Sequence, residues 1–133
     1  MLVVDTSAVL AALVGGASSS SVADRLAGDP DLHAPHLLDI EVLHALRGLV
    51  RANALSEDRA HDVRSDVAEL TIVRYPHEPL ADRIWALRHN LTAYDAAFVA
   101  LAEALGAPLV TCDAKLAAAP GTTASMELLP GAS

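Results

Sequence analysis

The stretch LTAYDAAFVALAEALGAPLVTCDAKLAA, from Leu91 to Ala118, predicts a helix followed by a buried strand. Thr92 and Asp95 have the spacing of a capping box, so we expect the helix to begin directly after Thr92. A glycine and a proline end this helix, and the apolar run that begins at Leu109 is typical of a strand covered on both faces. Together these features indicate an α/β fold.

Two carboxylates in this stretch occupy positions that suggest chemistry. Asp113 comes just past the C-terminal end of the strand, where α/β proteins keep their ligand sites. Asp95 lies on the side of its helix that carries Val99 and Ala102, and we expect that side to be buried. A buried carboxylate has to be neutralised, capped or bound to a cation, because desolvation of a bare charge is costly.

Composition limits the classes of protein to which the chain can belong. At 133 residues, with 53% apolar and 20% charged side chains, we expect a single domain over residues 1–133, frayed only at Pro130–Ser133. The net charge of −8 and the nine Lys and Arg residues argue against a broad nucleic-acid-binding surface. Aromatic residues are too few for a base-stacking platform. A role on nucleic acid would therefore depend on a metal and a few arginines.

The sequence predicts a cytoplasmic protein that does not enter a membrane. No window reaches about 18 uninterrupted apolar residues, the length that a membrane-spanning helix needs. The apolar opening MLVVDTSAVLAALVGGASSSS lacks a basic start and is interrupted by Asp5, so we interpret it as a strand and not as a secretory signal. The single Cys112 fits a reducing compartment.

Short apolar strands alternate with amphipathic helices along the whole chain, which predicts a three-layer α/β/α fold with a mostly parallel sheet of about four to five strands. Right-handed crossovers would place the strand exits on one edge of that sheet. The expected strands are Leu2–Val4, Leu32–Ala34, Thr71–Val73, Leu109–Thr111 and Met126–Leu129. The expected helices are Ala8–Val14, Val22–Ala27, His36–Ala52, Ser56–Glu69, Leu80–Asn90, the one after Thr92, and Ala114–Ala119, with a polar loop at Ser18–Ser21.

Four acids are expected to meet at the edge where the strands end. Asp5 and Asp113 follow strands, Asp95 begins a helix, and Glu41 lies at the margin of a helix core face. Each acid taken alone is explained by a cap, an Asx-turn or a surface charge. Four carboxylates in one pocket, however, keep their charges only beside divalent cations, or else their pKa values rise. An all-oxygen ligand set without a His or Cys motif favours Mg²⁺ or Mn²⁺.

Such a site suits phosphoryl chemistry, because a metal draws in a phosphodiester oxygen and makes its bound water more acidic. Ser7 and Thr111 are placed to orient a carboxylate or a water, although capping and strand propensity explain them equally well. We expect Thr6 and Ser7 to cap the first helix. No Walker phosphate loop or nucleophile elbow is present, and Cys112 lacks an evident base partner, so covalent catalysis is disfavoured. His44 lies one turn beyond Glu41, but a single His is more often a surface or packing residue than a ligand.

The chain resembles the PIN-domain ribonucleases, and in particular the VapC toxins of toxin–antitoxin pairs. The matching segments are VVDTSAVLAAL, EVLHALRGLV, LTAYDAAFVALAE and APLVTCDAKLA. Their order and spacing carry the resemblance, which covers nearly the whole chain.

The resemblance implies a metal-dependent endoribonuclease that cuts tRNA or rRNA with Mg²⁺ or Mn²⁺. It also implies a homodimer held by a cognate VapB-type antitoxin, whose C-terminal segment covers the acidic pocket; an inhibitor bearing arginine would complement that pocket. The residues that it implies as metal ligands are Asp5, Glu41, Asp95 and Asp113, assisted by Thr6, Ser7 and Thr111.

One departure from the family pattern bears on the number of metal ions. Some relatives carry a further acid shortly after the fourth, whereas here Lys115 follows and no acid comes before Glu127. Lys115, Arg47 and Arg88 are candidates for contact with a substrate phosphate. The alternative function is a catalytically degenerate PIN domain that acts as a protein-binding module. A metal-dependent phosphatase is a weaker alternative, because it would need a second acid shortly after Asp5.

Overall fold

The structure, a computed structural model, describes residues 1–15 and 20–131. Five strands and seven helices lie within these two segments. The strands are β1 Leu2–Val4, β2 Leu32–Pro35, β3 Ile72–Tyr75, β4 Leu109–Thr111 and β5 Met126–Leu128. The helices are α1 Thr6–Val14, α2 Ser20–Gly28, α3 Leu37–Arg51, α4 Glu57–Glu69, α5 Ala81–Ala86, α6 Ala93–Leu105 and α7 Ala114–Ala117.

The strands form one sheet in the order β3-β2-β1-β4-β5, and every pairing is parallel. The sheet is therefore parallel throughout, and the expected α/β class is confirmed. The central strand β1 pairs Val3 with Leu109 of β4 and Leu2 with Leu32 of β2. The chain order reverses between β1 and β4, because β2 and β3 extend the sheet on one side of β1 and β4 and β5 on the other. Parallel sheets open a crevice at such a switch point, outside the carboxyl ends of the strands.

The helices separate into two groups, one on each face of the sheet. Helix α1 contacts α2, α3 and α4, whereas α6 contacts β1, β2, β4 and α5. All residues from Ala96 to Ala102 are buried, so α6 is covered around its whole circumference and not only along one stripe. Its many alanines are small enough to allow this close approach to the sheet.

The helix predicted at Leu80–Asn90 is shorter in the structure. A 3-10 turn at Glu78–Leu80 precedes α5, which ends at Ala86. The amides of Arg88 and Asn90 then bond to carbonyls three residues earlier, which tightens the chain into turns. The last predicted helix is also shorter, and the loop prediction at Ser18–Ser21 is wrong for its final two residues, which belong to α2, while the first two lie outside the described residues.

Both predicted ends of α6 are confirmed. The Thr92 hydroxyl accepts a hydrogen bond from the Asp95 amide at 3.2 Å, which caps the start of the helix. Gly106 ends the helix with φ 62°, a left-handed conformation that glycine adopts without steric cost.

Glu103 ties α6 to α5 and to the loop before β5. Its carboxylate accepts hydrogen bonds from Arg83 Nε at 2.7 Å and from the Thr123 amide at 3.0 Å. The hydrogen bonds from Arg83 lower the pKa of Glu103 to about 2. This ion pair therefore stabilises the fold above the ordinary carboxyl value of 4.5, and that contribution is lost as the pH falls toward 2.

Within the described segments, none of the helices combines the length and the apolar character that crossing a bilayer requires.

Candidate active site

A cavity of about 700 Å³ opens at the carboxyl edge of the sheet. Four carboxylates from four separate elements line it, together with Thr6, Ser7 and an apolar rim. These acids are Asp5 after β1, Glu41 on α3, Asp95 in the first turn of α6 and Asp113 after β4. The structure thus brings together the four acids that the sequence singled out.

Asp5 is the most deeply placed of the four, with 6% of its surface exposed. It is the N-cap of α1, because its Oδ1 accepts a hydrogen bond from the Ala8 amide at 2.9 Å. The prediction that Thr6 and Ser7 cap α1 is therefore wrong; both lie within the first turn of the helix. Asp5 occupies the N-cap position because the helix begins at Thr6, directly after the strand exit, and its extended backbone places a carboxylate oxygen near the free amides of the first turn.

Two hydroxyl groups hold the Asp5 carboxylate. Ser7 Oγ donates to Oδ1 at 2.7 Å, and Thr111 Oγ1 donates to Oδ2. The same hydroxyls accept hydrogen bonds from backbone amides, Ser7 from Cys112 at 2.9 Å and Thr111 from Asp113 at 3.0 Å. Each hydroxyl has one proton, and both protons point at Asp5. This network links the exits of β1 and β4 and orients the carboxylate.

Glu41 is held from the opposite wall. Thr6 Oγ1 donates to Glu41 Oε1 at 2.7 Å, although 35 residues separate the two in sequence. Because Thr6 lies directly after Asp5, this bond couples the margin of α3 to the exit of β1. One carboxylate oxygen of Glu41 remains available to the cavity.

No hydroxyl group donates to Asp113 or Asp95 among the described residues. Asp113 is the N-cap of α7 and accepts hydrogen bonds from the amides of Lys115 at 2.9 Å and Leu116 at 3.3 Å, both at Oδ1. Asp95 is half-buried, and among the residues that the structure describes nothing donates a hydrogen bond to its carboxylate. It therefore does not complete the reciprocal half of a capping box, and its oxygens face the cavity without a protein partner.

Burial and mutual repulsion disfavour the charged forms of two of these acids. Desolvation is the main cause that raises the pKa of Asp5; hydrogen bonds from Thr111, Ser7 and Ala8 oppose it, and the nearby charge of Asp113 adds to it. Desolvation also raises the pKa of Asp95, and the charges of Asp113 and Asp5 raise it further. A bound cation would relieve this repulsion.

The donor set fits a hard divalent cation in kind, because carboxylate oxygens are its preferred ligands and Asp95 has no competing donor. In the described segments, however, no three His, Cys, Asp or Glu side chains are gathered around one point as a ready metal cluster. The carboxylates line the walls of the cavity instead of converging. Their role as metal ligands stays a prediction.

The three cations predicted to contact substrate lie outside the lining of this cavity. Arg47 lines a groove between α3 and α4, and Arg88 lies over the Trp85 ring at 4.5 Å, in a separate hollow. Lys115 is exposed on α7. Contact of these residues with RNA stays a prediction.

Sequence reasoning missed the apolar rim of the cavity. Ile40 is 65% exposed and Tyr94 is 62% exposed, and both line the opening beside the acids. The available signal was position: each residue directly precedes a predicted site acid on a helix. His44, which the sequence predicted to be a surface or packing residue, is exposed and also lines the cavity.

Asp95→Asn is expected to stabilise the metal-free protein at pH 7, by up to about 1 kcal/mol, because it removes a carboxylate whose ionisation the fold disfavours. Since the pKa of Asp95 is raised above its ordinary value of 3.8, the gain should fade as the pH falls through the raised value toward 3.8, and it should be absent below 3.8, where the folded and unfolded wild type are both protonated. Thermal unfolding in EDTA at several pH values measures this effect. Asp62→Asn, on the exposed face of α4, is the matched control and should stay within about 0.5 kcal/mol of wild type. A less stable Asp95→Asn protein would contradict the repulsion described above.

Comparison with known proteins identifies the family of the chain. The PIN domain family matches residues 2–121. Ribonuclease VapC1 of Mycobacterium tuberculosis is 47% identical over 128 residues, which cover 96% of this chain and 96% of VapC1.

Two solved structures share the fold. PAE2754 from Pyrobaculum aerophilum superposes with a TM-score of 0.70 at 23% identity, covering 94% of this chain and 81% of that one. The structure of VapBC2 from Rickettsia felis, bound to a DNA fragment from their promoter, contains a chain with a TM-score of 0.68 at 13% identity, covering 96% and 98%. The family match and the identity to VapC1 together show that this chain belongs to the PIN domain family and, within it, to the VapC ribonucleases.

Proposed function

We propose that the chain is a Mg²⁺- or Mn²⁺-dependent endoribonuclease, the toxin of a toxin–antitoxin pair. The observation that carries the proposal is the cavity at the switch point of the sheet, into which four separate elements bring one carboxylate each. Membership of the VapC ribonucleases supports RNA as the substrate, and the likeness to VapC toxins favours tRNA or rRNA.

The metal would be held by Asp5, Glu41, Asp95 and Asp113. When bound, it would supply a Lewis acid for a phosphodiester oxygen and a water more acidic than bulk water. Every other contribution comes from the chain itself.

The hydroxyls around Asp5 and Glu41 set the orientation of these two ligands, and those around Asp5 also favour its charged form. Ser7 and Thr111 donate to Asp5 and thereby lower its pKa against the effect of burial, so they favour the ionised ligand. Thr6 fixes one oxygen of Glu41 and leaves the other free. Asp95 needs no reorganisation of hydrogen bonds before it can accept a cation. Pre-oriented ligands of this kind raise both metal affinity and rate.

The partner that we propose is a VapB-type antitoxin whose C-terminal segment covers the cavity, with the toxin as a homodimer in the cytoplasm. Acids in the cavity complement an arginine, and the exposed Ile40 and Tyr94 at its rim offer apolar contacts to the residues flanking that arginine. One chain of the VapBC2 structure from Rickettsia felis shares the fold, which supports such an assembly.

Mn²⁺ is expected to raise the stability of the wild-type protein in the absence of RNA. A cation that binds only the folded state at a hundredfold excess over its Kd contributes about 2.7 kcal/mol. Titration calorimetry and thermal unfolding with MnCl₂ measure binding and stabilisation separately. Asp113→Asn should weaken both, because it removes one of the ligands, whereas Asp62→Asn should leave both unchanged.

The same titration discriminates the alternative function, a catalytically degenerate PIN domain that serves as a protein-binding module. Lack of Mn²⁺ binding near millimolar concentration would favour the module and count against the enzyme. Among the described residues, no group donates a hydrogen bond to the carboxylate of Asp95. This favours the enzyme, since a protein-binding module has no need to keep a carboxylate half-buried without a partner.

A further inference from the structure

Most cationic side chains in the described part of the chain already have a partner. Three arginines form ion pairs with acids, Arg59 donates to the Leu13 carbonyl at 2.7 Å and Arg88 donates to the Trp85 carbonyl at 3.0 Å. The three ion pairs are Arg25 with Glu127, Arg74 with Asp39 and Arg83 with Glu103. The cations that remain without a partner among residues 1–15 and 20–131 are Arg47, Arg51, Arg64 and Lys115.

Three of these four line one groove of about 520 Å³ between α3 and α4. Arg47 and Arg51 come from the C-terminal half of α3, and Arg64 comes from α4. All three are exposed. Glu57 is the one acid in the described lining, so the arginines leave a surplus of positive charge in a protein whose net charge is −8.

The charges on α4 are sorted by face. Ala60 and His61 lie one helical turn after Glu57, and Arg64 lies two turns after it, so all four residues line the groove. At 100° per residue, the acids of α4 beyond its first residue point away from this stripe. These acids are Asp58, Asp62, Asp66 and Glu69. Glu57 is therefore the one acid of α4 that lines the groove.

Helix α3 contributes residues to both the groove and the acid cavity. Glu41 and His44 line the cavity, whereas Arg47 and Arg51, further along the helix, line the groove. At a rise of about 1.5 Å per residue, Arg51 lies about 15 Å along the helix axis from Glu41. An extended polyanion bound along this path would reach the acids within a few nucleotides.

We propose that the α3–α4 groove binds the RNA backbone, with Arg47, Arg51 and Arg64 contacting phosphates that flank the bond to be cut. The inference rests on the proposed ribonuclease function. An acidic cavity repels a polyanion, so the substrate needs cations nearby. Among the described residues, Arg47, Arg51 and Arg64 are the cations that have no hydrogen-bond or ion-pair partner and lie in one groove. Apolar Leu43 and Val50 in the groove offer contact to ribose and base faces. An acidic protein segment would also satisfy the charge, but it has no need of the acid cavity, to which the same helix contributes Glu41 and His44.

Binding of a fluorescein-labelled 20-nucleotide oligouridylate, followed by anisotropy in EDTA, tests the groove without cleavage or metal. Arg47→Gln, Arg51→Gln and Arg64→Gln should each weaken binding about two- to fivefold. The triple variant should also lower the slope of log K against log salt by about 2, since each phosphate contact on a single strand contributes about 0.7. Arg47→Lys should bind as wild type, because a phosphate contact needs charge and not a guanidinium.

Arg25→Gln is the matched control, since it removes the same charge from an arginine already paired with Glu127. Melting curves establish that each variant is folded, and the single variants carry the test if the triple variant unfolds. Wild-type affinity and salt slope in the groove variants would overturn the proposal. If the groove variants lost binding to an oligoglutamate peptide but bound oligouridylate as the wild type does, the proposal would also be overturned. The groove would then be assigned to an acidic protein segment. This binding measurement involves neither metal nor cleavage. Absence of ribonuclease activity would therefore contradict the proposed function, while the test of RNA binding in the groove would still stand.

Discussion

Asp5→Asn is expected to lower the rate of RNA cleavage by at least about a hundredfold, the loss typical when one polar group at a reaction centre is removed. Asp5 is the most buried of the four acids and faces Asp113 across the cavity, so its charge is central to any cation held there. An amide keeps the shape of the side chain but removes the charge. Asp95→Asn should have a similar effect on cleavage.

The Asp5→Asn protein should stay folded because the surrounding hydroxyls can readjust. The amide oxygen can still accept from Ser7 and the Ala8 amide, which preserves the cap of α1. The amide nitrogen would donate to Thr111, whose own proton can turn to Ser7 Oγ, 3.3 Å away. No buried polar group is then left without a partner.

Cleavage is measured on total RNA with protein purified free of wild type, with 5′ ends mapped and Mn²⁺ present. Circular dichroism and thermal unfolding verify the fold, and Asp62→Asn controls for loss of one negative charge. Cleavage by Asp5→Asn at the wild-type rate would show that the acids in this cavity do not carry the reaction.

Thr111→Val is expected to destabilise the protein by about 2–3 kcal/mol, although valine has nearly the same shape. Thr111 is completely buried, and its hydroxyl both donates to Asp5 and accepts from the Asp113 amide. Valine leaves both of those groups short of a partner. The pKa of Asp5 should rise further, because a hydrogen bond that lowers it is lost. Cleavage should fall about tenfold or more through misorientation of Asp5.

Thr111→Ser is the matched variant for this experiment. It keeps the hydroxyl and loses one buried methyl group, so it should cost about 1 kcal/mol and retain most activity. A double-mutant cycle with Asp5→Asn, measured by chemical denaturation, isolates the coupling between the two side chains. Additive effects of Thr111→Val and Asp5→Asn would show that the hydroxyl acts through packing and not through the carboxylate.

Local features of the sequence predicted the elements well where caps and breakers are strong. Thr92 and Gly106 fix the two ends of α6 through contacts within a few residues, so the sequence suffices. Predictions were wrong where the three-dimensional arrangement of the chain determines the ends of an element or the partner of a side chain. Asp5 caps α1 because the helix begins at Thr6, two residues earlier than predicted, so Thr6 and Ser7 lie inside its first turn and donate to Glu41 and Asp5.

By itself the sequence determined the α/β class, the family and which four acids line the cavity. Hydrophobic periodicity, strand exits and the motif around each acid are local features that a short stretch of sequence contains. Only the tertiary structure decided that β4 pairs with β1, which brings Asp113 opposite Asp5. It alone revealed the hydroxyl network of Ser7 and Thr111, which joins residues 104 positions apart. It also showed that Arg47 and Arg51 lie in one groove with Arg64 and have no partner among the described residues. Such proximities depend on strand order and helix packing, which buried apolar surface selects over the whole domain and which no short stretch of sequence encodes.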